Sequence, residues 1–146
     1  MERGAGSADR RRDILRAILA LFYVAAGIFH VVWPAPFLIV MPTFVPYPYE
    51  VVIGTGIAEL LGAVALYIPR LRWLAGVSLA AYAVCVYPAN LQHAWNDIAV
   101  AQNYGTLWYH VPRLPFQPVL IWWALYAGQV TDWPWRKPLS SPHGDA

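Results

Sequence analysis

VVIGTGIAELLGAVALYI, residues 51–68, is an 18-residue run with one acidic or basic side chain, Glu59. It lacks the polar stripe of a helix lying on a soluble core. Its length approaches the roughly 20 residues that a helix needs to cross a bilayer. Working outward, three more apolar runs of this kind flank it: Ile14 to Trp33, Trp73 to Asn90 and Leu114 to Val130. Together the four spans hold 73 of the 146 residues. An all-α integral membrane four-helix bundle is the fold this pattern predicts. It comprises a basic tail at 1–13, a membrane domain at 14–130 and a second tail at 131–146.

Composition points the same way. The chain is 59% hydrophobic and 12% charged, against about 25% charged in an average soluble domain. That excludes disorder. A net charge of +2 gives no ground for a nucleic-acid partner, and the lipid bilayer is the expected one. The single cysteine, Cys85, excludes an intramolecular disulfide, a CxxC pair and a Cys-rich zinc site. Lying inside span three, Cys85 is expected to be closed to aqueous reagents. Trp33, Trp73, Trp95, Trp108, Trp133 and Trp135 sit near or just beyond span ends, where indole rings favour headgroups.

Basic residues orient the spans. Arg3, Arg10, Arg11, Arg12 and Arg16 precede span one, Arg70 and Arg72 join spans two and three, and Arg136 and Lys137 follow span four. Only Arg113 lies on the other side. Nine of the ten basic residues therefore mark one face, which the positive-inside rule makes cytoplasmic. Both termini are expected inside, with the chain in the cell inner membrane. The Pro34 to Glu50 connection then lies outside, and its five prolines disfavour regular helix. Its apolar residues fit either a segment packed over the outer mouth of the bundle or a loop dipping into headgroups.

Polar residues inside such a bundle are costly and mark sites. Glu59 lies nine residues after Glu50, about 13 Å along a helix rising about 1.5 Å per residue, so it falls near mid-membrane. There it is protonated or partnered. Gly54, Ala58 and Gly62 form a small-residue seam beside it, suited to close helix contact. His30 shares a face of span one with Gly27 and Tyr23. Asn90, His93 and Asp97 share a face of span three if its helix continues past residue 90. A histidine donating to Asp97 would have its tautomer fixed and its other nitrogen free for a substrate. Arg113 opens span four, at the helix pole that disfavours a cation, with Pro115, Gln117 and Pro118 behind it.

His30, Glu59, Asn90, His93, Arg113 and Gln117 all fall between mid-membrane and the outer mouth, which predicts one polar cavity there. In this reading Glu59, His30, His93 and Arg113 are candidate catalytic residues, and Asn90, Gln117, Tyr23 and Asp97 candidate ligand-binding residues. The plainer alternatives are a polar tether for Glu59, interfacial hydrogen bonds for the histidines, and snorkelling for Arg113. No HxxxH, HExxH or ExxH spacing occurs, so no metal ligand is assigned. A Glu59–Arg113 pair, direct or through Asn90 and one water, is expected.

The run Ala26, Gly27, His30, Pro34, Phe37, Met41, Pro42, with Pro46 and Pro48, resembles the opening of DoxX-like small membrane proteins. Gly56 to Glu59, Pro69 with Arg72, Tyr87-Pro88-Ala89-Asn90 and Arg113-Leu114-Pro115-Phe116-Gln117 continue the resemblance in order. Val31 and Thr55 depart from its usual Phe and Ser. The resemblance implies a four-helix bacterial inner-membrane protein linked to quinone-dependent oxidoreductase systems. It makes quinone the expected cofactor or ligand and a membrane oxidoreductase the expected partner. Two further functions stand beside this one. They are an intramembrane acid–base enzyme acting on a lipophilic small molecule, and a non-enzymatic scaffold or permease.

Overall fold

The computed structural model describes residues 3–135. Arg136, Lys137 and the rest of the expected C-terminal tail lie outside the described residues. Among those described the chain is all-helical: α1 (Arg3–Val32), the short α2 (Ala35–Ile39), α3 (Pro48–Ala65), α4 (Arg72–Trp95) and α5 (Leu107–Ala127). A π-helical turn, Asn96–Val100, extends α4, and a 3-10 turn, Tyr104–Thr106, leads into α5. Three segments are long and apolar enough to cross a membrane, Ala8–Val32, Pro48–Ala65 and Arg72–Val100. The prolines, His110 and Arg113 of α5 make its 21 residues less apolar.

Packing is strongest within two pairs, α1 against α3 and α4 against α5. The first pair is close because both faces lack a side chain at the crossing. A Cβ on Gly27 would lie 2.7 Å from the Gly56 carbonyl oxygen, and one on Gly56 would lie 2.6 Å from His30 Cβ. The expected seam of Gly54, Ala58 and Gly62 is therefore not the α1 contact. Gly54 faces open space, and Gly62 abuts Leu79 of α4. On a 3.6-residue turn, Gly56 shares its face with Glu59 and Ala63 rather than with Gly54.

A narrow core of Leu19, Tyr23, Leu66, Leu79, Leu120 and Ala124 joins the pairs. Large apolar side chains stand exposed along every long helix, among them Leu21, Leu61, Val64, Leu74, Val84 and Val119. Cys85 is also exposed, on the outer surface of α4.

Two helix boundaries differ from the sequence expectation by seven residues or more. Residues 3–13, expected as a solvated tail, continue α1. Arg11 and Arg12 hold that end by stacking over Trp135 and Tyr126, and Arg12 pairs with Asp132. Arg16 is buried and donates to the Ala127 carbonyl at 3.0 Å and to Asp13 at 2.6 Å. At the other end of the chain, α5 begins seven residues before the expected Leu114. Pro112, Pro115 and Pro118 thus lie inside the helix, not in its first turn. Interior prolines survive where neighbouring helices re-satisfy the freed carbonyls. Arg113 is then a full turn and more past the helix start, clear of the unfavourable pole.

Candidate functional site

The expected polar residues form two groups rather than one ring. The division follows the helix pairs: α1 and α3 carry one group, and α4 and α5 the other.

The first group centres on Glu59, which is 4% exposed in the middle of α3. Its Oε2 lies 2.9 Å from His30 Nδ1, and the same nitrogen lies 2.9 Å from the Ala26 carbonyl oxygen one turn back on α1. The Nδ1 hydrogen bond goes to the Ala26 carbonyl, and Glu59 Oε2, at ion-pair distance from the same nitrogen, is buried without a hydrogen-bond partner among the described residues. Phe37 of α2 stacks on the His30 ring at 3.8 Å between centroids and covers the pair. Tyr23, two turns before His30 on the same face of α1, is buried. Its hydroxyl has no partner among the described residues.

Glu59 also lines a groove of about 280 Å³ between α3 and α4. Ala58, Gly62, Ala75, Leu79 and Ser78 form its walls, with Tyr82 beside the carboxyl-bearing face. The lining is apolar except at Glu59, Ser78 and Tyr82. Ser78 and Tyr82 were not singled out from the sequence. Their signal is an i, i+4 pair of hydroxyl side chains in an otherwise apolar helix.

The second group is a chain of hydrogen bonds along α4 and α5. Gln117 is buried and donates to the Ala83 carbonyl at 2.6 Å, while its Oε1 accepts from Asn90 at 3.1 Å. Asn90 in turn accepts from Arg113. Arg113 donates its other terminal nitrogen to His93 Nδ1 at 2.9 Å and lies over the Tyr109 ring at 5.0 Å. A guanidinium has only donors, so His93 Nδ1 must be unprotonated and its ring proton sits on Nε2. That Nε2 is 3.3 Å from Asp97 Oδ2, and His110 Nε2 approaches the same oxygen at 3.0 Å.

Three expectations are revised by this geometry. Arg113 pairs with Asn90 and His93, not with Glu59, because α5 packs on α4 whereas Glu59 faces α1. Arg113, not Asp97, fixes the His93 tautomer: it holds Nδ1, so that nitrogen is not free for a substrate, and Asp97 stands 3.3 Å from Nε2. His110, absent from the expected set, is 1% exposed at the centre of the outer cluster. It stands three residues before Arg113, a helical spacing visible only once α5 is known to begin at Leu107.

The two groups offer different chemistry. The first places a carboxyl group and an imidazole within proton-exchange distance beside an apolar groove. The second is a rigid, charge-rich network fixing α4 to α5. No curated protein and no solved structure matches the chain. A family model matches residues 19–127, which is 109 of the 146 residues, and the chain belongs to that family, a domain of unknown function designated DUF8561.

Proposed function

We propose that the chain is a four-span protein of the inner membrane, both termini cytoplasmic, that binds a lipophilic carbonyl compound of the quinone class and serves a membrane oxidoreductase as an accessory component. In this reading α5 is the fourth span and the Pro-rich connection lies on the outer face. The asymmetry of nine basic residues against one supports the orientation. The exposed apolar side chains along every long helix support the bilayer setting, since a soluble monomer rarely carries so continuous an apolar surface. The family match names no activity, so the quinone assignment leans on the resemblance to DoxX-like proteins and on the groove.

The observation that carries the reading is the position of Glu59 on the wall of the α3–α4 groove. In a bilayer that groove faces lipid chains, so a membrane-dissolved ligand enters without crossing water. Ligand sites are mostly apolar clefts with a few convergent polar groups, and small ones hold about 300 Å³. A cleft of about 280 Å³ suits one ring-sized headgroup whose tail remains in lipid. Glu59, Ser78 and Tyr82 supply the few polar contacts that would orient a carbonyl oxygen.

The contact of 2.9 Å between His30 and Glu59 favours a second reading, acid–base chemistry on the bound molecule. A carboxyl group and an imidazole in contact can exchange a proton with a ligand that reaches either of them.

Organic extraction of protein purified in mild detergent from its native membranes tests the binding reading. The expected result is a lipophilic carbonyl compound in near-stoichiometric amount, depleted in a Ser78→Trp variant that fills the groove. Equal trace amounts in both samples would contradict it. Conversion of that compound by wild type but not by Glu59→Gln would favour catalysis over accessory binding.

A further inference from the structure

The outer cluster holds a combination that the hydrogen-bond network alone does not require. His93, Asp97 and His110 each direct one potential ligand atom to a common point, and those atoms lie within 4.8 Å of one another. His93 Nε2 and His110 Nε2 stand 3.3 Å and 3.0 Å from the same carboxylate oxygen. Two ligand atoms each about 2.0–2.2 Å from one ion are separated by about 3.0–3.5 Å in octahedral or tetrahedral geometry. Both nitrogen-to-oxygen separations fall in that range.

We propose that His93, Asp97 and His110 form a binding site for one divalent first-row transition-metal ion where α4 ends and α5 begins. Two imidazoles and one carboxylate, with no thiolate, make a borderline-hard donor set that suits zinc, cobalt, nickel or ferrous iron and not cuprous copper. Three protein ligands leave further positions for water.

Two independent features support the site. The first is the π-helical turn at Asn96–Val100, which carries Asp97 directly after the α-helical turn that carries His93. Such turns are rare and occur frequently at functional sites. The second is His110, whose ring is 1% exposed and whose Nδ1 is buried with no partner among the described residues. The site needs only Nε2, which already faces Asp97. The other two ligands are partly exposed, at 20% and 30% of their side chains, so an ion can reach the point where all three meet.

Arg113 sets the conditions for loading. While it donates to His93 Nδ1, the ring proton must sit on Nε2, the nitrogen a metal would take. Binding at Nε2 shifts the proton to Nδ1, where it would oppose the guanidinium donor. Arg113 therefore releases His93 on loading and keeps Asn90 and the Tyr109 ring. The metal ion and the Arg113–His93 hydrogen bond exclude each other. This site is separate from the α3–α4 groove, and either assignment stands if the other fails.

The test uses full-length protein in detergent, stripped with a chelator and titrated with Zn²⁺ against a chromophoric competitor, then with Co²⁺ by visible absorption. The expected result is one ion per chain, with Co²⁺ bands of nitrogen and oxygen ligation. Asp97→Asn and His93→Gln should each weaken binding more than the roughly 10–100-fold that loss of an outer-shell partner costs. His143→Ala, which changes the one histidine beyond the described residues, should leave stoichiometry and affinity unchanged. Because His110 is buried and its removal threatens folding, the two more exposed ligand variants decide. Wild-type binding that neither variant weakens, or that His143→Ala abolishes, would overturn the site.

Discussion

Glu59 and His30 meet across the α1–α3 crossing, Oε2 to Nδ1 at 2.9 Å, at the point where Gly27 and Gly56 let the two backbones approach. The polar contact and the close packing are one arrangement: without the glycines the helices stand too far apart for the pair to form.

Gly56→Ala should break that arrangement. Its Cβ would lie 2.6 Å from His30 Cβ and 2.9 Å from the Gly27 carbonyl oxygen, and neither neighbour is a flexible chain end. Overpacking of this kind costs about 1–3 kcal/mol. Gly54→Ala, two residues away in open space, should instead be neutral or stabilising by up to about 1 kcal/mol through helix propensity. Unfolding in mixed micelles separates the two. Equal effects would mean that the crossing does not lie at Gly56.

The His30–Glu59 pair should be coupled, and Glu59 should be uncoupled from Arg113. Removing one partner of a buried pair costs about 3–5 kcal/mol because the other is stranded. His30→Ala should therefore destabilise the wild type strongly and the Glu59→Gln background much less. Arg113→Ala and Glu59→Gln should add within about 0.5 kcal/mol, as substitutions without shared partners do. Strong coupling between Glu59 and Arg113 would place the two helix pairs differently from the arrangement described above.

In the outer network Gln117 is the buried anchor, donating to Ala83 and accepting from Asn90. Gln117→Met keeps the length but loses both the donor and the acceptor. It should destabilise by about 1–3 kcal/mol, the cost of an unsatisfied buried group. Stability equal to wild type would show that Gln117 does not anchor the network.

Orientation and lipid exposure have their own checks. A reporter that requires the outer compartment should be active when inserted near Gln102 and silent when fused after Val130. Cys85, on the outer surface of α4, should react with a lipid-soluble maleimide and not with a membrane-impermeant one in intact cells. The reverse pattern in either experiment contradicts the proposed placement.

The three helices long and apolar enough to cross a membrane could be read directly, because a run of that length without a polar stripe has few other uses. Glu59 and His30 were legible as anomalies for the same reason. Their pairing was not, since it depends on which small residue faces α1, and the choice between Gly54 and Gly56 turns on a helical rotation of about 200°. The start of α5 was hidden by Pro112, Pro115 and Pro118, which locally argue against helix, and His110 was hidden with it. The convergence of His93, Asp97 and His110 joins residues 13 to 17 positions apart on two helices, a spacing no local motif displays.

The central claim is that the groove beside Glu59 holds a membrane-dissolved carbonyl compound. Titration of a short-tailed quinone into the protein in lipid nanodiscs, for wild type and for Ser78→Trp, tests it most directly. Saturable binding at one molecule per chain, weakened at least about tenfold (about 1.4 kcal/mol) by Ser78→Trp, is the predicted result. Identical partitioning into nanodiscs carrying wild type, variant or no protein would contradict it.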